Sequence, residues 1–422
     1  MLQSGQVPKF KLLKIIPSAI CYYSLPFFGR EHNFQNVILF FKGFNAISMT
    51  VAFFYWLGVC NFLKFDTKQT ILGTSFCFVN FIFVKYYSFY PVLTEYFAYA
   101  LAMASLYHWF KGQTIRLVIV ILLSAWTWTQ LTYPLFFLLI FPFTSKKTVI
   151  IGFKNIILEK IAHRTVLLVL SIVVSIIAAV SYASSKNVNI SIGLVISVIE
   201  VTILLFIGLK FSTDLILKNL SDKKSIQFSP IGLITSVIVY ILITIHVNLA
   251  NFPDTNVKEY VTVKNFLHSA FKYPLISTIS HVLLFSPIIL FIYLNYRRFL
   301  NSLNFLGVGF ALVLLFNLLF MFNNEIRHMI HMFPFYTILF LLNNNFQSIS
   351  VFGITFIQLV ISLFFIKFVS DLGFNEDFFL CFFGFTMPAK YYPNFLFSAF
   401  VVYFFLTLLL LLDKDFKLRK KK

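Results

Sequence analysis

The chain has 422 residues, of which 59% are hydrophobic and only 12% are charged, and its mean hydropathy is +0.87. Soluble domains are about 45–50% apolar with about a quarter of their residues charged, so this composition excludes an ordinary soluble protein and predicts an integral membrane protein. The net charge of +19 does not indicate nucleic-acid binding, because the basic residues fall between hydrophobic runs, as the positive-inside rule describes. No polar stretch is long enough for a separate soluble domain, so residues 1–422 are predicted to form a single integral membrane domain.

The hydrophobic runs predict an all-α fold, a polytopic transmembrane helical bundle of about 12–14 membrane segments. A span needs roughly 20 apolar residues, with about 17–25 tolerated. The segments are predicted at 12–28, 37–63, 69–87, 88–110, 115–132, 133–144, 164–184, 190–210, 230–250, 273–296, 303–322, 327–343, 346–368 and 394–413. The fifth and sixth are short, and a proline disfavours helix at the residue before it. They are therefore predicted to form a hairpin whose tip is Thr132, Tyr133 and Pro134.

The basic residues in the connections predict the orientation of the bundle. With fourteen crossings, all of the basic connections fall on one side, and the positive-inside rule makes that side the cytoplasm. Both termini are then cytoplasmic, and the protein is predicted in a bacterial inner membrane or, in a eukaryote, in the endoplasmic reticulum. The residues concerned are Lys9, Lys11, Lys14, Lys64, Lys68, Lys111, Arg116, Lys146, Lys147, Lys154, Lys160, Arg164, Lys218, Lys223, Lys224, Arg297, Arg298 and the tail KLRKKK.

The opposite, non-cytoplasmic face is predicted to hold nearly every acidic residue near a span end and most of the histidines. A reaction centre is therefore expected on this face. Its loops contain Arg30, Glu31, His32, Tyr90, Asp254, Lys258, Glu259, His268, Glu325, Arg327, His328, Asp371, Glu376 and Asp377, together with the hairpin tip at Tyr133.

Two carboxylates on this face are candidates for chemistry. Glu95 follows Pro91 in YPVLTEY, in the first turn of a predicted helix. A helix dipole favours a carboxylate there, so Glu95 is either a helix-terminal charge or a general base at the membrane boundary. Glu31 belongs to the compact trio Arg30, Glu31 and His32, which is either a set of paired surface charges or the surroundings of a catalytic carboxylate.

A basic group of the same face is predicted to bind phosphate. In NNEIRHMIHMFPFY, Arg327 and His331 are four residues apart and share a helix face, with His328 at an intermediate angle. A guanidinium offers a fork of donors to phosphate oxygens; the alternative is an interfacial cation that snorkels to the headgroups. Glu200 lies mid-span and is a functional candidate by default, either protonated or hydrogen-bonded to a neighbouring helix.

The sequence predicts neither a metal site nor a cofactor. Its four cysteines, Cys21, Cys60, Cys77 and Cys381, are scattered, and no pair has metal-binding or redox spacing. No GxxxxGK[ST], HExxH, GxSxG or GxGxxG motif with a following acidic residue is present. These absences argue against an ATP-driven pump with its own nucleotide domain, a zinc protease and a serine hydrolase.

The segment 86–143 resembles the membrane glycosyltransferases of the GT-C superfamily. The shared order of features is a YP pair, a polar and acidic pair, a long helix rich in small residues, a KG turn, and a Thr-containing turn before proline. Here these features are Tyr90 and Pro91, Thr94 and Glu95, Lys111 and Gly112, and Thr132, Tyr133 and Pro134. The segment EIRHMIHMFPF is similar to a late helix of that superfamily, in which an arginine precedes a proline-containing span.

This resemblance implies transfer of a sugar from a polyprenyl-phosphate carrier to a glycan, lipid or protein acceptor on the non-cytoplasmic face. It implies Glu31 or Glu95 as the base, and Arg327, aided by His328 and His331, as ligands of the leaving phosphate. Arg30, Tyr90 and Tyr133 are the remaining residues expected at the substrate site. One departure is the first outer loop, which is long in the superfamily and has only GREHNFQN as its counterpart here.

Three other functions stay open from the sequence. A polysaccharide polymerase would have a similar composition and an outer-face arginine. A transporter or flippase of lipid-linked glycans would often show inverted repeats and paired broken helices around midplane charges. Here only one midplane charge, Glu200, and one break, within 115–144, are visible. The third alternative is a non-catalytic subunit of a larger membrane complex, which the short first loop favours.

Overall fold

The computed structural model describes residues 14–80, 94–143, 149–151, 164–189, 191–221, 226–249, 270–271, 275–284, 286–322, 330–343, 348–371 and 392–420. Within these ranges the chain forms 16 α-helices and two short strands. The first half contains α1 (Ile15–Phe27), α2 (Phe34–Phe62), α3 (Thr67–Phe78), α4 (Glu95–Phe110), α5 (Thr114–Ala125), α6 (Thr129–Ile140), β1 (Val149–Ile151) and α7 (Arg164–Lys186). The second half contains α8 (Ile192–Ser221), β2 (Ile226–Phe228), α9 (Pro230–Leu249), α10 (Ile276–Leu284), α11 (Ile288–Leu294), α12 (Tyr296–Leu306), α13 (Val308–Met321), α14 (Phe333–Leu342), α15 (Ser348–Asp371) and α16 (Tyr392–Lys420).

Four of the helices in the described ranges are long and apolar enough to cross a membrane. These four segments are Phe34–Phe62, Arg164–Lys186, Ile192–Asp214 and Tyr392–Leu411. Seven further apolar segments have 10–17 residues each, and a straight 12-residue helix such as α5 rises only about 18 Å. The protein is thus predominantly helical and contains helices that can span a bilayer of about 30 Å.

The fold is all-α, as predicted, and one short pair of strands accompanies the described helices. β1 pairs antiparallel with β2, so that Ile150 lies opposite Gln227. The strand sequences VII and IQF are rich in β-branched or aromatic residues, which favour an extended backbone. The ladder joins the connection between α6 and α7 to the connection between α8 and α9.

Two helix breaks also differ from the prediction. The α5–α6 hairpin turns at residues 126–128, whereas Pro134 is the sixth residue of α6. A proline this close to a helix start interrupts only one early hydrogen bond, so the preference against helix before proline does not end the segment. The predicted span 273–296 is divided into α10 and α11, which are separated around Pro287.

Helix α4 lies at the centre of the bundle, because 14 of its 16 residues are buried. It runs in the same direction as α2: the ring of Phe44 lies 5.3 Å from that of Phe97, and the ring of Tyr55 lies 5.4 Å from that of His108. It then turns through Gly112, which has a φ of +64°, into α5. Alternate alanines in AYALAMAS let neighbouring helices approach closely.

The C-terminal ends of α2 and α4 meet at one end of the bundle, which we call the basic end. There the ring of Phe62 lies 5.4 Å from that of Phe110 and 5.9 Å from that of Phe143. Lys64 and Lys111 follow α2 and α4 at this end. Depth along the bundle is the distance from this basic end.

Candidate functional site

The structure describes five of the eight site residues predicted from the sequence. Tyr90, Arg327 and His328 lie outside the described residues. The five that can be placed are Arg30, Glu31, Glu95, Tyr133 and His331.

Arg30 and Glu31 lie in the exposed turn between α1 and α2. The Glu31 carbonyl accepts hydrogen bonds from the Asn33 backbone N–H and from Asn36 Nδ2, both at 2.9 Å. Asn33 in turn caps α2 by accepting from the Asn36 N–H. The main chain of Glu31 therefore shapes the start of α2, while its side chain is exposed.

Glu95 is the first residue of α4, as the sequence predicts, and it is 1% exposed. The positive end of the α4 dipole stabilises a carboxylate at this position. Such complete burial of a carboxyl group is costly and is rare for glutamate outside functional or paired positions. Glu95 therefore differs from Glu31 in its environment, although both are acidic residues of the predicted outer face.

The structure does not bring Glu31 and Glu95 together. Glu95 precedes Phe97, whose ring contacts that of Phe44 on α2. Phe44 is ten residues beyond the start of α2 at Phe34, a rise of about 15 Å, and Glu31 lies before that start. The two carboxylates are therefore at different levels, and only one of them can act on a given substrate atom.

A second group of functional side chains surrounds Trp128, in the connection between α5 and α6. His331 is fully buried in the helical turn that precedes α14, and its ring centroid lies 6.3 Å from that of Trp128. On the same ring, Lys14 Nζ lies 3.9 Å from the Trp128 centroid, a cation–π distance. We call Lys14, Trp128 and His331 the Trp128 cluster.

The sequence placed Lys14 among the cytoplasmic cations, not at this cluster. The backbone N–H of Ile16 donates to the Trp126 carbonyl at 3.1 Å, which fixes the start of α1 against the α5–α6 connection. The sequence assigned that connection to the opposite membrane face. No local pattern could have found this contact, because it joins residues more than 100 positions apart through packing alone.

Glu95 and the Trp128 cluster lie at similar depths in the bundle. Helices α4 and α5 are joined by a tight turn at residues 111–113 and have 16 and 12 residues. They rise about 24 Å and about 18 Å from that turn, so their far ends differ in level by about 6 Å. Glu95 thus lies roughly one helical turn further from the basic end than Trp128.

The non-helical backbone at this depth is enclosed by protein. Thr127 and Thr132 are 0% exposed, and Ser124 Oγ lies 2.9 Å from Thr132 Oγ1, in a hydrogen bond that joins α5 to α6. Thr127 Oγ1 donates to the Leu123 carbonyl. Irregular backbone at membrane depth is tolerated only when it is buried in protein or lines a cavity, and this connection meets that condition.

Tyr133 does not occupy a hairpin tip, which corrects the prediction. It is the fifth residue of α6, and its ring contacts Tyr240 of α9 at 6.5 Å and Phe136 at 6.1 Å. The tip of the hairpin is instead at residues 126–128, where the chain turns before α6 begins. Tyr133 therefore packs between α6 and α9, and Thr132 is the neighbouring residue that faces α5.

The ammonium group of Lys14 and the imidazole of His331 meet on one indole ring, and the buried carboxyl group of Glu95 lies at a similar level of the bundle. These groups can accept a proton and offset the negative charge of an anion. Among the described residues, no three His, Cys, Asp or Glu side chains come together as metal ligands. No protein-family model, no curated protein and no solved structure matches this chain.

Proposed function

We propose that the protein is a membrane glycosyltransferase that moves a sugar from a polyprenyl-phosphate carrier to an acceptor on the non-cytoplasmic face. Two observations carry this proposal: Glu95 is completely buried, and Lys14 and His331 meet on the Trp128 ring at a similar level of the bundle. Ionisable side chains are rare at such depth and usually mark a functional site. The order of motifs in residues 86–143 adds the resemblance to GT-C enzymes.

Glu95 is the proposed base. Its carboxylate takes the proton of the acceptor hydroxyl while that oxygen bonds to the anomeric carbon and the bond from this carbon to the carrier phosphate breaks. The products are the glycosylated acceptor and polyprenyl phosphate. We prefer Glu95 to Glu31 because Glu95 is buried at a level similar to that of the other ionisable groups, whereas Glu31 is exposed and more than about 12 Å nearer the outer end of α2.

The cationic groups are the proposed partners of the leaving phosphate. Lys14 brings an ammonium to the site, and His331 an imidazole. Arg327, with His328, stays in the proposal because it precedes His331 by four residues, and a guanidinium matches phosphate geometry. Positioning and electrostatic stabilisation of this phosphate would supply much of the rate.

The proposed topology retains about 12–14 membrane segments with both termini in the cytoplasm, within the bilayer of an inner membrane or the endoplasmic reticulum. Lys14 lies about 18 Å from the basic end. In this topology the residues before Lys14 lead to the cytoplasmic side.

A comparison of two variants tests the proposal. In purified protein reconstituted in vesicles, Glu95→Gln is expected to lower transfer from a labelled polyprenyl-phosphate sugar about 10²–10⁴-fold, the usual contribution of a general base. Glu31→Gln, which changes the other outer carboxylate, is expected to keep the rate within a few fold. Equal thermal unfolding of both variants would show that the difference is not one of folding. Full activity of Glu95→Gln would refute the assignment of the base.

A further inference from the structure

A second ionisable group is buried in the middle of a membrane-crossing helix, apart from the site described above. Glu200 is the ninth residue of α8 and is 6% exposed. It belongs to the segment Ile192–Asp214, one of the four helices able to span a membrane. A carboxyl group in the interior of such a segment usually binds an ion or a proton, or pairs with another group.

One oxygen of Glu200 is anchored at the start of α10. Glu200 Oε1 accepts from Thr278 Oγ1 at 2.6 Å and from the Thr278 backbone N–H at 3.3 Å. Thr278 is the third residue of α10, so the carboxyl group also lies at the positive end of that helix dipole. Leu275, just before α10, has a φ of +57°, and its backbone also hydrogen-bonds the carboxyl group.

The other oxygen of Glu200 has no such anchor. Within the described residues, neither Glu200 Oε2 nor Ser197 Oγ has a hydrogen-bond partner, although both atoms are buried. Ser197 is 0% exposed and lies three residues before Glu200, so the two side chains share one face of α8. Buried oxygens without partners are costly and uncommon. Here one such oxygen belongs to the carboxyl group and the other to a hydroxyl group on the same face of α8, which indicates an occupant that bonds to oxygen.

We propose that Glu200 Oε2 and Ser197 Oγ form a binding site for a monovalent cation, either a proton or a sodium ion. Both are hard, positively charged species that bind carboxylate and hydroxyl oxygens. Either one neutralises the carboxylate where a net charge is most costly. Phosphate, nucleotide and other anionic ligands do not fit, because the carboxylate would repel them.

The site links three helices, so its occupancy bears on their arrangement. Thr278 connects α8 to α10, and α10 packs along α16. Tyr392, the first residue of α16, is close enough to interact electrostatically with Glu200. A cation that binds one arrangement of these helices better than another shifts the protein toward that arrangement. This inference goes beyond the proposed sugar transfer and does not depend on it.

Other titratable or charged side chains occur on the described elements that pack against α8 and α10, and the pH test must account for them. They are Arg164, Tyr182 and Lys186 on α7, Lys210 and Asp214 on α8 itself, His281 on α10, Tyr293 on α11, Tyr296, Arg297 and Arg298 on α12, and Tyr392 and Tyr403 on α16. Subtracting the pH dependence of a Glu200→Gln variant removes their contributions.

The test measures thermal unfolding of the full-length protein in nanodiscs. In the first arm, sodium chloride is exchanged for choline chloride at constant ionic strength and pH. In the second arm, pH is varied without sodium, and the infrared carbonyl band of a protonated carboxyl group is recorded. Because a ligand that binds only the folded state raises its stability, a sodium site predicts a midpoint that rises with the logarithm of sodium concentration. A proton site predicts instead a pH-dependent carboxylic-acid band.

Three variants show which side chains produce the sodium dependence or the infrared band. Glu200→Gln is expected to abolish the sodium dependence or the infrared band at neutral pH, whichever the wild type shows. Asp214→Asn, which removes a carboxylate further along the same helix, is expected to keep it. Ser197→Ala is expected to weaken the sodium dependence several-fold if Ser197 Oγ is a ligand.

Wild-type protein that shows neither a sodium-dependent midpoint nor a carboxylic-acid band at neutral pH, where exposed carboxyl groups are ionised, would overturn the proposal. So would either signal if it were as large in Glu200→Gln as in the wild type. The wild-type measurement needs no variant, so the proposal stays falsifiable if Glu200→Gln does not fold. Loss of sugar transfer in Glu95→Gln bears on the other site, and the two proposals can therefore fail separately.

Discussion

Individual polar side chains show where the helices of this bundle are held together. Several buried hydroxyl groups bond within their own helix, as Ser171 Oγ does to the Leu167 carbonyl. Others join different helices: Ser124 meets Thr132 across the α5–α6 hairpin, and Gln69 Nε2 donates to the Leu341 carbonyl, which joins α3 to α14. Only the inter-helix bonds favour a particular packing of helices, because an intra-helix bond forms wherever the helix forms.

Thr132→Val tests this distinction. The variant keeps the shape of the side chain but removes the hydroxyl group that bonds Ser124. We expect a loss of about 0.6 kcal/mol of unfolding free energy, and no more than about 1.7 kcal/mol, as measured for inter-helix bonds in membranes. Thermal unfolding in detergent checks the value. Ser171→Ala is the control. An equal loss of unfolding free energy in this control would mean that the inter-helix bond stabilises the fold no more than an intra-helix bond does.

Among whole elements, close approaches between helices depend on glycine at particular crossings. A Cβ added at Gly309, near the start of α13, would lie 2.5 Å from the Phe141 carbonyl oxygen and 2.9 Å from that of Phe137. At Gly232, near the start of α9, it would lie 2.1 Å from the Leu139 carbonyl oxygen. Both α9 and α13 therefore cross the C-terminal end of α6 at distances that only glycine permits.

Gly309→Ala is expected to destabilise the protein by about 1–3 kcal/mol, because backbone atoms of α6 must move to make room. Gly43→Ala is the matched control. Gly43 lies inside α2 with nothing within 4 Å of an added Cβ, and alanine there is expected to stabilise by about 0.4–1 kcal/mol. Midpoints of thermal unfolding for the two variants should move in opposite directions. A shift of the same sign would contradict the crossing described for α13 and α6.

Over the whole molecule, the sequence predicted the helical content well and the breaks poorly. The start of α4 at Glu95 follows from YPVLTE, and the long apolar runs of α2, α7 and α8 follow from composition. Three features could not be predicted: the turn at residues 126–128, the division near Pro287 and the contact of Lys14 with Trp128. Each depends on what packs beside the segment, and hydropathy measures only whether a residue prefers to be buried.

The orientation of the bundle is tested by cysteine labelling in sealed vesicles of known sidedness. Native Cys21, Cys60 and Cys77 are buried, so a background with Cys381→Ser should react little. Glu31→Cys is expected to react with an impermeant maleimide from the non-cytoplasmic side, because its loop is exposed. Lys68→Cys, at the basic end, is expected to react only from the cytoplasmic side. Exchanged sides would reverse the proposed topology, and labelling of both from the same side would refute it.

The β1–β2 ladder brings together the two ends of the stretch from Val149 to Phe228, which we call the excursion. Its two ends lie one strand spacing apart, about 4.8 Å, and immediately after it the Ser229 N–H donates to the Ile140 carbonyl at 2.8 Å. Helices α6 and α9 are therefore spatial neighbours that the excursion separates only in sequence. Glu200 belongs to the excursion, whereas Glu95, Lys14, Trp128 and His331 lie outside it in the sequence. Glu200 and Ser197 thus reach Thr278, which lies outside the excursion, only through the packing of α8 against α10, so a change in the length of the excursion can displace these two oxygens while the Trp128 cluster keeps its connections.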